Sequence, residues 1–478
     1  MAITVLQTPS APFDMAYGAN PITLGGIDTI ANADKYALRI FIVGNAIPIA
    51  DIRQTPNRVG RAVFDIQNVL QSYVGPQVNT IDSLHYPSAS APQAQRMALA
   101  GPTLIEYQIA YATESGGVVS AFTTFPEIFT TIAGSKEYFE VPFNVEPYQV
   151  NATAGSPSPG CTVIVNHAGP LSDNQWTIPD ELPGKSLGFF SSPAGIDVHN
   201  VYADDQCTKT FYSPIFRNPS NPPSVDAQGL EGFYIAEFNS ADQPVASSFI
   251  SNTQLNGGGP NITQNQGTLV SGQFQTITLG IGPANLPQAI NANTAYYYII
   301  PVIAGCSTAP DVGGNVMSEA AWRAQKFIIN TEPCNDYPHV QFAWQNSLGY
   351  RDQFTFTKRV DHSTKTQNNN FLKGAADYNS LNYNVNIEDR GLTTYSQKIE
   401  NMFKVQSGYM NNDEAKLLKH LHQSAEVKVR FSEGPYADQW VPVIITNTAY
   451  TEKTYRKDRL FQYTVNFKLA TNIKSMRG

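Results

Sequence analysis

The chain has 478 residues, 42% of them hydrophobic and 11% aromatic, but charged residues supply only 15%. Scarce Lys, Glu and Arg disfavour a helical protein, and 34 Gly with 32 Pro is turn-rich without the bias of a collagen, a coiled coil or a disordered tail. The formal charge of −8 is uneven: residues 351–478 hold 19 Lys+Arg and 13 Asp+Glu, a net of +6, so the remaining 12 and 26 give residues 1–350 a net of −14.

The length predicts three domains of about 150 residues each. The fold expected is mainly β. Two immunoglobulin- or fibronectin-like sandwich regions, 1–135 and 136–333, precede a C-terminal antiparallel domain at 334–478 with one short helix.

In the first region, Lys35 to Gly44 (KYALRIFIVG) is apolar, β-branched and bounded by turn residues, which predicts a strand. Leu104 to Thr113 is a second, with Ile105, Tyr107, Ile109 and Tyr111 on one face. Between them Ile66, Val69, Leu70 and Tyr73 have helical spacing, with Asp65 as the expected N-cap. Sheet plus one short helix fits a sandwich.

The middle region alternates loop-like stretches at 154–160, 218–224 and 255–267 with strand candidates. These are Phe211–Phe216, Gly232–Phe238, Gln275–Ile281 and Tyr296–Ala304, the last expected at the centre of a sheet. Long loops in a compact domain are functional or poorly ordered, and at least one of the three is expected to order only in an assembly.

The last region has the cleanest patterns. LNYNVNI at 381–387, Val427/Val429/Phe431, and FQYTVNFKL at 461–469 alternate with period two, which predicts antiparallel strands with one wet face. The helix expected over 412–423 has Asn412 as its cap and an apolar stripe of Ala415, Leu418 and Leu421.

Patterns that carry chemistry are sparse. Gly184, Lys185 and Ser186 end like a Walker A loop, but Pro179 stands where its first glycine belongs. GxSxG and HExxH are absent. Seven histidines are scattered, and His420 and His422 lie about 200° apart around the expected helix, so they read as surface residues. Asp204 and Asp205 lack the spacing of a calcium loop and read as a solvated pair. No catalytic, cofactor-binding or metal-binding residue is assigned, and no cofactor and no enzymatic activity are expected.

Cys161, Cys207, Cys306 and Cys334 lie far apart without a CxxC pair, which fits a reducing compartment. The opening MAITVLQTPSAPFD lacks the basic and long apolar segments of a signal peptide, and no stretch approaches 18 apolar residues. Folding in a cytoplasm and no membrane partner are expected. Near the C-terminus Arg456, Lys457 and Arg459 lie beside Tyr455 and Phe461. A hairpin tip is the favoured reading over a nucleic-acid contact, since +6 over 128 residues is a modest field.

Two segments carry a resemblance. The first is HVQFAWQNSLGYRDQFTFT at 339–357 with Trp344, Asn346, Leu348, Gly349, Phe354 and Phe356. It continues through Leu421 and Ser424 at the end of the helix to Pro442, Val443, Ile445 and Asn447. The second is 52–74, with Pro56, Asn57, Gly60, Phe64, Asp65, Ile66 and Tyr73. Together they resemble structural neck and tail proteins from phages and prophages of Bacteroidetes hosts, including crAss-like phages. The match covers about a third of the chain, only loosely in the middle.

The resemblance implies a ring or tail-hub subunit of a virion, made in the host cytoplasm and built from copies of itself around the portal axis. Portal and other neck or tail proteins would be its neighbours. Its motifs are scaffold motifs and carry over no catalytic residue. DNA would pass through such a ring without specific binding, and an acidic wall repels phosphate, so residues 1–350 are expected to line any channel. An acidic body and a basic end also offer the unlike faces of a head-to-tail ring. The alternative is a receptor- or glycan-binding tail protein at the host surface. A third is a cell-wall hydrolase whose acids converge from separate segments.

Overall fold

The computed structural model describes residues 3–9, 14–17, 21–26, 34–74, 97–99, 104–135, 149–151, 186–189, 198–214, 230–251, 274–303, 325–330, 337–346, 349–372, 376–377, 384–385, 392–410, 412–447 and 462–470. The fold is mainly β, in several largely antiparallel sheets. It divides into two compact units: residues 1–332 with 344–353, and 333–343 with 354–478.

The first unit begins with β1 (Ile3–Gln7), β2 (Asp14–Tyr17), β3 (Ile22–Gly26), β4 (Lys35–Ile42), β5 (Ala50–Gln54), β6 (Arg61–Phe64) and helix α1 (Gln67–Gln71). Strands β7 (Met97–Leu99), β8 (Leu104–Ser115), β9 (Val118–Val119) and β10 (Thr123–Ser135) follow. A three-stranded sheet β1-β3-β6 faces a larger one, β2-β10-β8-β4-β5. The core between them draws Leu24 from β3, Phe64 from β6, Leu38 and Ile40 from β4, and Tyr107 and Ile109 from β8. Ile40 stands opposite Ile109 and Leu38 opposite Tyr111, so the alternation read from the sequence is the core face of this sandwich. Helix α1 closes the core with Leu70. Its N-cap is Ile66 rather than Asp65, although the Asp65 carboxylate accepts the Gln67 N–H at 3.0 Å from one position earlier.

The next strands are β11 (Gln149–Asn151), β12 (Ser186–Phe189), β13 (Val198–Val201), β14 (Thr208–Pro214), β15 (Leu230–Phe238), β16 (Pro244–Ser251), β17 (Phe274–Gly280), β18 (Tyr296–Ile303) and β19 (Gln325–Ile329). They form sheets β11-β12-β14-β17-β7 and β13-β19-β18-β15-β16. Leu279 of β17 packs with Phe233, Ile235, Tyr297, Ile299 and Phe327 of the other sheet. The Tyr297 ring stacks on Phe327 at 5.1 Å, and its hydroxyl donates to the Ile281 carbonyl at 2.6 Å. Strand β18 is the middle of its sheet, and Tyr296 and Tyr298 are buried on its opposite face against Phe238. Burial on both faces is why its sequence is apolar almost without a break. Strand β7 comes from the first hundred residues yet pairs with β17.

The second unit is built on a seven-stranded sheet. Its elements are β20 (Val340–Gln345) and β21 (Arg351–Phe356), whose residues 344–345 and 351–353 are counted with the first unit, then β22 (Val360–Leu372), β23 (Ala376–Asp377), β24 (Asn384–Val385), β25 (Leu392–Gln406), helix α2 (Asn412–Gln423), β26 (Val427–Phe431), β27 (Trp440–Ile445) and β28 (Thr464–Leu469). The sheet order is β21-β20-β26-β27-β28-β25-β22, with β23 and β24 paired apart. Val465, Phe467 and Leu469 of β28 are buried while Thr464, Asn466 and Lys468 are half-buried, as period two requires. Phe467 meets Phe342 edge-on at 5.2 Å and stacks on Phe403 at 5.2 Å. In α2 the stripe Ala415, Leu418 and Leu421 is buried, and Asn412 is its first helical residue rather than its cap.

Of the expected strand at 381–387, the described residues are Asn384 and Val385. The loops at 154–160, 218–224 and 255–267 and the residues Arg456, Lys457 and Arg459 lie outside the described residues.

Candidate functional site

The feature of the second unit least explained by packing is the hairpin of β22 and β25. Its strands run 13 and 15 residues and pair from Val360↔Val405 out to Leu372↔Leu392. Strand β28 supports β25 only from Met402 to Gln406. The ten residues from Leu392 to Asn401 therefore continue as a two-stranded ribbon, roughly 34 Å at the strand rise. From His362 to Leu372 every β22 side chain is exposed.

Polar cross-strand pairs hold the ribbon. Asn369 Nδ2 donates to Ser396 Oγ at 3.0 Å, and Thr394 Oγ1 donates to Asn370 Oδ1 at 2.7 Å. At its foot His362 stacks on Phe403 at 4.5 Å. Glu400 accepts from Lys398 at 3.0 Å and Lys468 at 3.2 Å, and these bonds hold its carboxyl below the usual range. Arg359 pairs with Asp361 at 2.6 Å.

The outermost pairs of these strands are different; of residues 373–391, which join them, those described are β23 and β24. Phe371, Leu372, Leu392 and Tyr395 are 46%, 80%, 62% and 56% exposed. Leu372 and Leu392 stand directly opposite and share one face. Phe371 lies on the other face by strand alternation, and Tyr395, at the bulge opposite Asn369 and Asn370, meets it edge-on at 6.1 Å. A two-stranded ribbon is marginal in water by itself, and one that exposes four large apolar side chains on its outer part has the form of a docking arm.

A second cluster lies wholly within the first unit. Lys209 Nζ is 2.8 Å from His199 Nε2, and the His199 ring stacks on Phe327 at 5.0 Å. Gln353 Nε2 donates to Thr208 Oγ1 at 2.7 Å. Burial pushes the Asp352 carboxyl well above the usual carboxylate range, while the Lys209 ammonium and a hydrogen bond with Asn346 pull it partly back. Lys209 and Asp352 are both almost completely buried. They act on one another and fasten the 344–353 segment to β14.

The residues that carried the family resemblance do scaffold work. Asn57 Oδ1 accepts the N–H groups of Val59 and Arg61, each at 3.0 Å, in the turn that contains Gly60. Trp344 and Phe356 are buried. Asn346 closes the β20–β21 turn: its N–H donates to the Tyr350 carbonyl at 2.7 Å and its Oδ1 accepts the Tyr350 N–H at 3.1 Å. Gly349 in that turn has φ +86, and a Cβ there would overlap the Ala133 carbonyl. Asn447 Oδ1 accepts the Asn466 N–H at 2.9 Å and its Nδ2 donates to the Thr464 carbonyl at 3.1 Å, joining the end of β27 to β28. Leu348 lies outside the described residues.

Three side chains differ from their sequence reading, and one of them, His420, is half-buried rather than at the surface. Asp205 is buried, not solvated, and its carboxylate accepts the Tyr202 N–H at 2.9 Å. His422 is half-buried, with Nε2 3.2 Å from the Tyr463 hydroxyl, and burial lowers its pKa despite a hydrogen bond to the Asn447 backbone. Cys207 is buried and forms no disulfide among the described residues, while Cys161, Cys306 and Cys334 lie outside them. Among the described residues no group of three or more His, Cys, Asp and Glu side chains is placed to hold a metal ion, and no helix is long and apolar enough to cross a membrane.

Compared with known proteins, the chain matches no family model and no curated sequence.

Proposed function

We propose that this chain is a structural subunit of a tailed phage particle. It forms a ring in the neck or tail from copies of itself, around the DNA channel and beside the portal, without enzymatic activity. The single observation that carries this reading is the β22–β25 ribbon. It spends about 20 residues on an arm that lies beyond the supporting strand of its own sheet and carries exposed apolar side chains at its outermost pairs. The resemblance of segments 52–74 and 339–470 to phage neck and tail proteins supports the same reading, as does the charge contrast between the two parts of the chain.

The test is the mass of the purified chain in solution, by native mass spectrometry or light scattering, alone and with portal protein. A closed ring, or a monomer that becomes one beside portal protein, is expected. A stable monomer or compact trimer that ignores portal protein overturns the reading. The exposed Phe371–Tyr395 pair favours a second reading, since aromatic rings stack on sugars: a glycan-binding tail protein. Saturable binding on a glycan array by a chain that does not assemble would establish it.

A further inference from the structure

We infer that the β22–β25 ribbon docks its outer, apolar-bearing part on the first unit (1–332) of a neighbouring copy of this chain. This rests on the ring reading and names the contact that closes the ring. At the outermost pairs of these two strands Leu372 and Leu392 lie on one face and Phe371 and Tyr395 on the other. A flat surface would leave one pair wet, so a partner that buries both must enclose the ribbon.

Charge selects the partner. Over 358–406 the hairpin carries seven Lys and Arg against five Asp and Glu, a net of +2. Asp361 and Glu400 are already engaged by cations of their own chain. Residues 1–350 carry a net of −14. A second copy therefore offers the ribbon an acidic body, whereas a second ribbon offers it like charge. Arm on body is also a heterologous contact, which closes into a ring, while arm on arm is isologous and stops at a dimer.

Two variants and one probe test this. In the first variant Phe371, Leu372, Leu392 and Tyr395 all become Ser. In the second, residues 367–398 are replaced by Asn-Gly between Thr366 and Ile399, which face one another across the ribbon. The probe is a photo-reactive phenylalanine analogue at Tyr395 in the otherwise unaltered chain, with linked peptides mapped by mass spectrometry. The expected result is that both variants keep the unfolding profile of the parent chain but remain monomers where it assembles. Links from position 395 should fall in residues 1–332 of another copy. Raising salt from about 0.1 M to about 1 M, which shortens the Debye length from about 10 Å to about 3 Å, should weaken the parent assembly.

Rings that persist in both variants overturn the inference and leave the ring reading standing. Links only between two ribbons, or only to portal protein, do the same. A parent chain that stays monomeric even beside portal protein and gives no intermolecular link overturns both.

Discussion

Gly349→Ala is the sharpest test of how the 344–353 segment is held. Two terms add at this position. Its φ of +86 lies in the left-handed region, where a side chain costs about 1–2 kcal/mol. A Cβ there would also overlap the Ala133 carbonyl oxygen, stand 2.5 Å from its carbon and 3.2 Å from its Cα. These are backbone atoms of β10, a paired strand, and cannot swing aside as a side-chain tip would. Overpacking of this kind costs about 1–3 kcal/mol. The expected loss is therefore about 2–5 kcal/mol. Gly44→Ala is the matched control: its φ is +85, but nothing lies within 4 Å of the added carbon, so only the first term applies. A chain of two units does not unfold in one step, so amide exchange is the proper readout. The amides of Asn346, Gly349 and Tyr350, bonded within the turn, should lose protection in Gly349→Ala and keep it in Gly44→Ala. Two variants within about 1 kcal/mol of each other would refute the close approach to Ala133.

Two further outcomes follow from the cores. Asp352 has a carboxyl raised in the folded chain, so its contribution to stability is complete below the ordinary value of 3.8 and is lost as pH rises through the raised one. Asp352→Asn should therefore gain on the parent chain in urea unfolding of the first unit as pH climbs from about 3 toward neutrality, and a flat difference would show that burial does not govern this group. Leu418, fully buried in α2, should cost the second unit about 2–5 kcal/mol when cut to Ala, while Leu372→Ala on the exposed outer part of the ribbon should stay within about 0.5 kcal/mol; equal losses in thermal unfolding would contradict the burial pattern.

The elements legible in the sequence are those with one wet face or none. Strands β4, β8 and β28 and helix α2 show periods set by a core, and the unbroken apolar run of β18 matches its place inside a sheet. The ribbon was illegible for the same reason. HSTKTQNNN is wet on both faces, so no alternation marks it as a strand, and its pairing with β25 depends on a register set elsewhere. The Lys209, His199 and Asp352 cluster joins residues up to 153 positions apart through no motif, so spacing could not reveal it. Asp205 misled because an acidic pair beside a turn looks solvated. Its carboxylate instead satisfies the Tyr202 amide, a local bond that leaves no mark in composition.

The pairing of β7 with β17 bears on biosynthesis. Met97–Leu99 leaves the ribosome some 180 residues before Phe274–Gly280, the strand it pairs with. At about 5–20 residues per second that interval is roughly 10–35 s. For that time β7 has a backbone edge without its mate, while the neighbouring strands β8 and β10 can already join. The nascent chain thus carries an open edge through much of its own synthesis, a stage at which edge pairing between chains on one polysome competes with folding. A fragment ended at residue 135 would keep that edge for good, whereas one ended at residue 332 includes its mate.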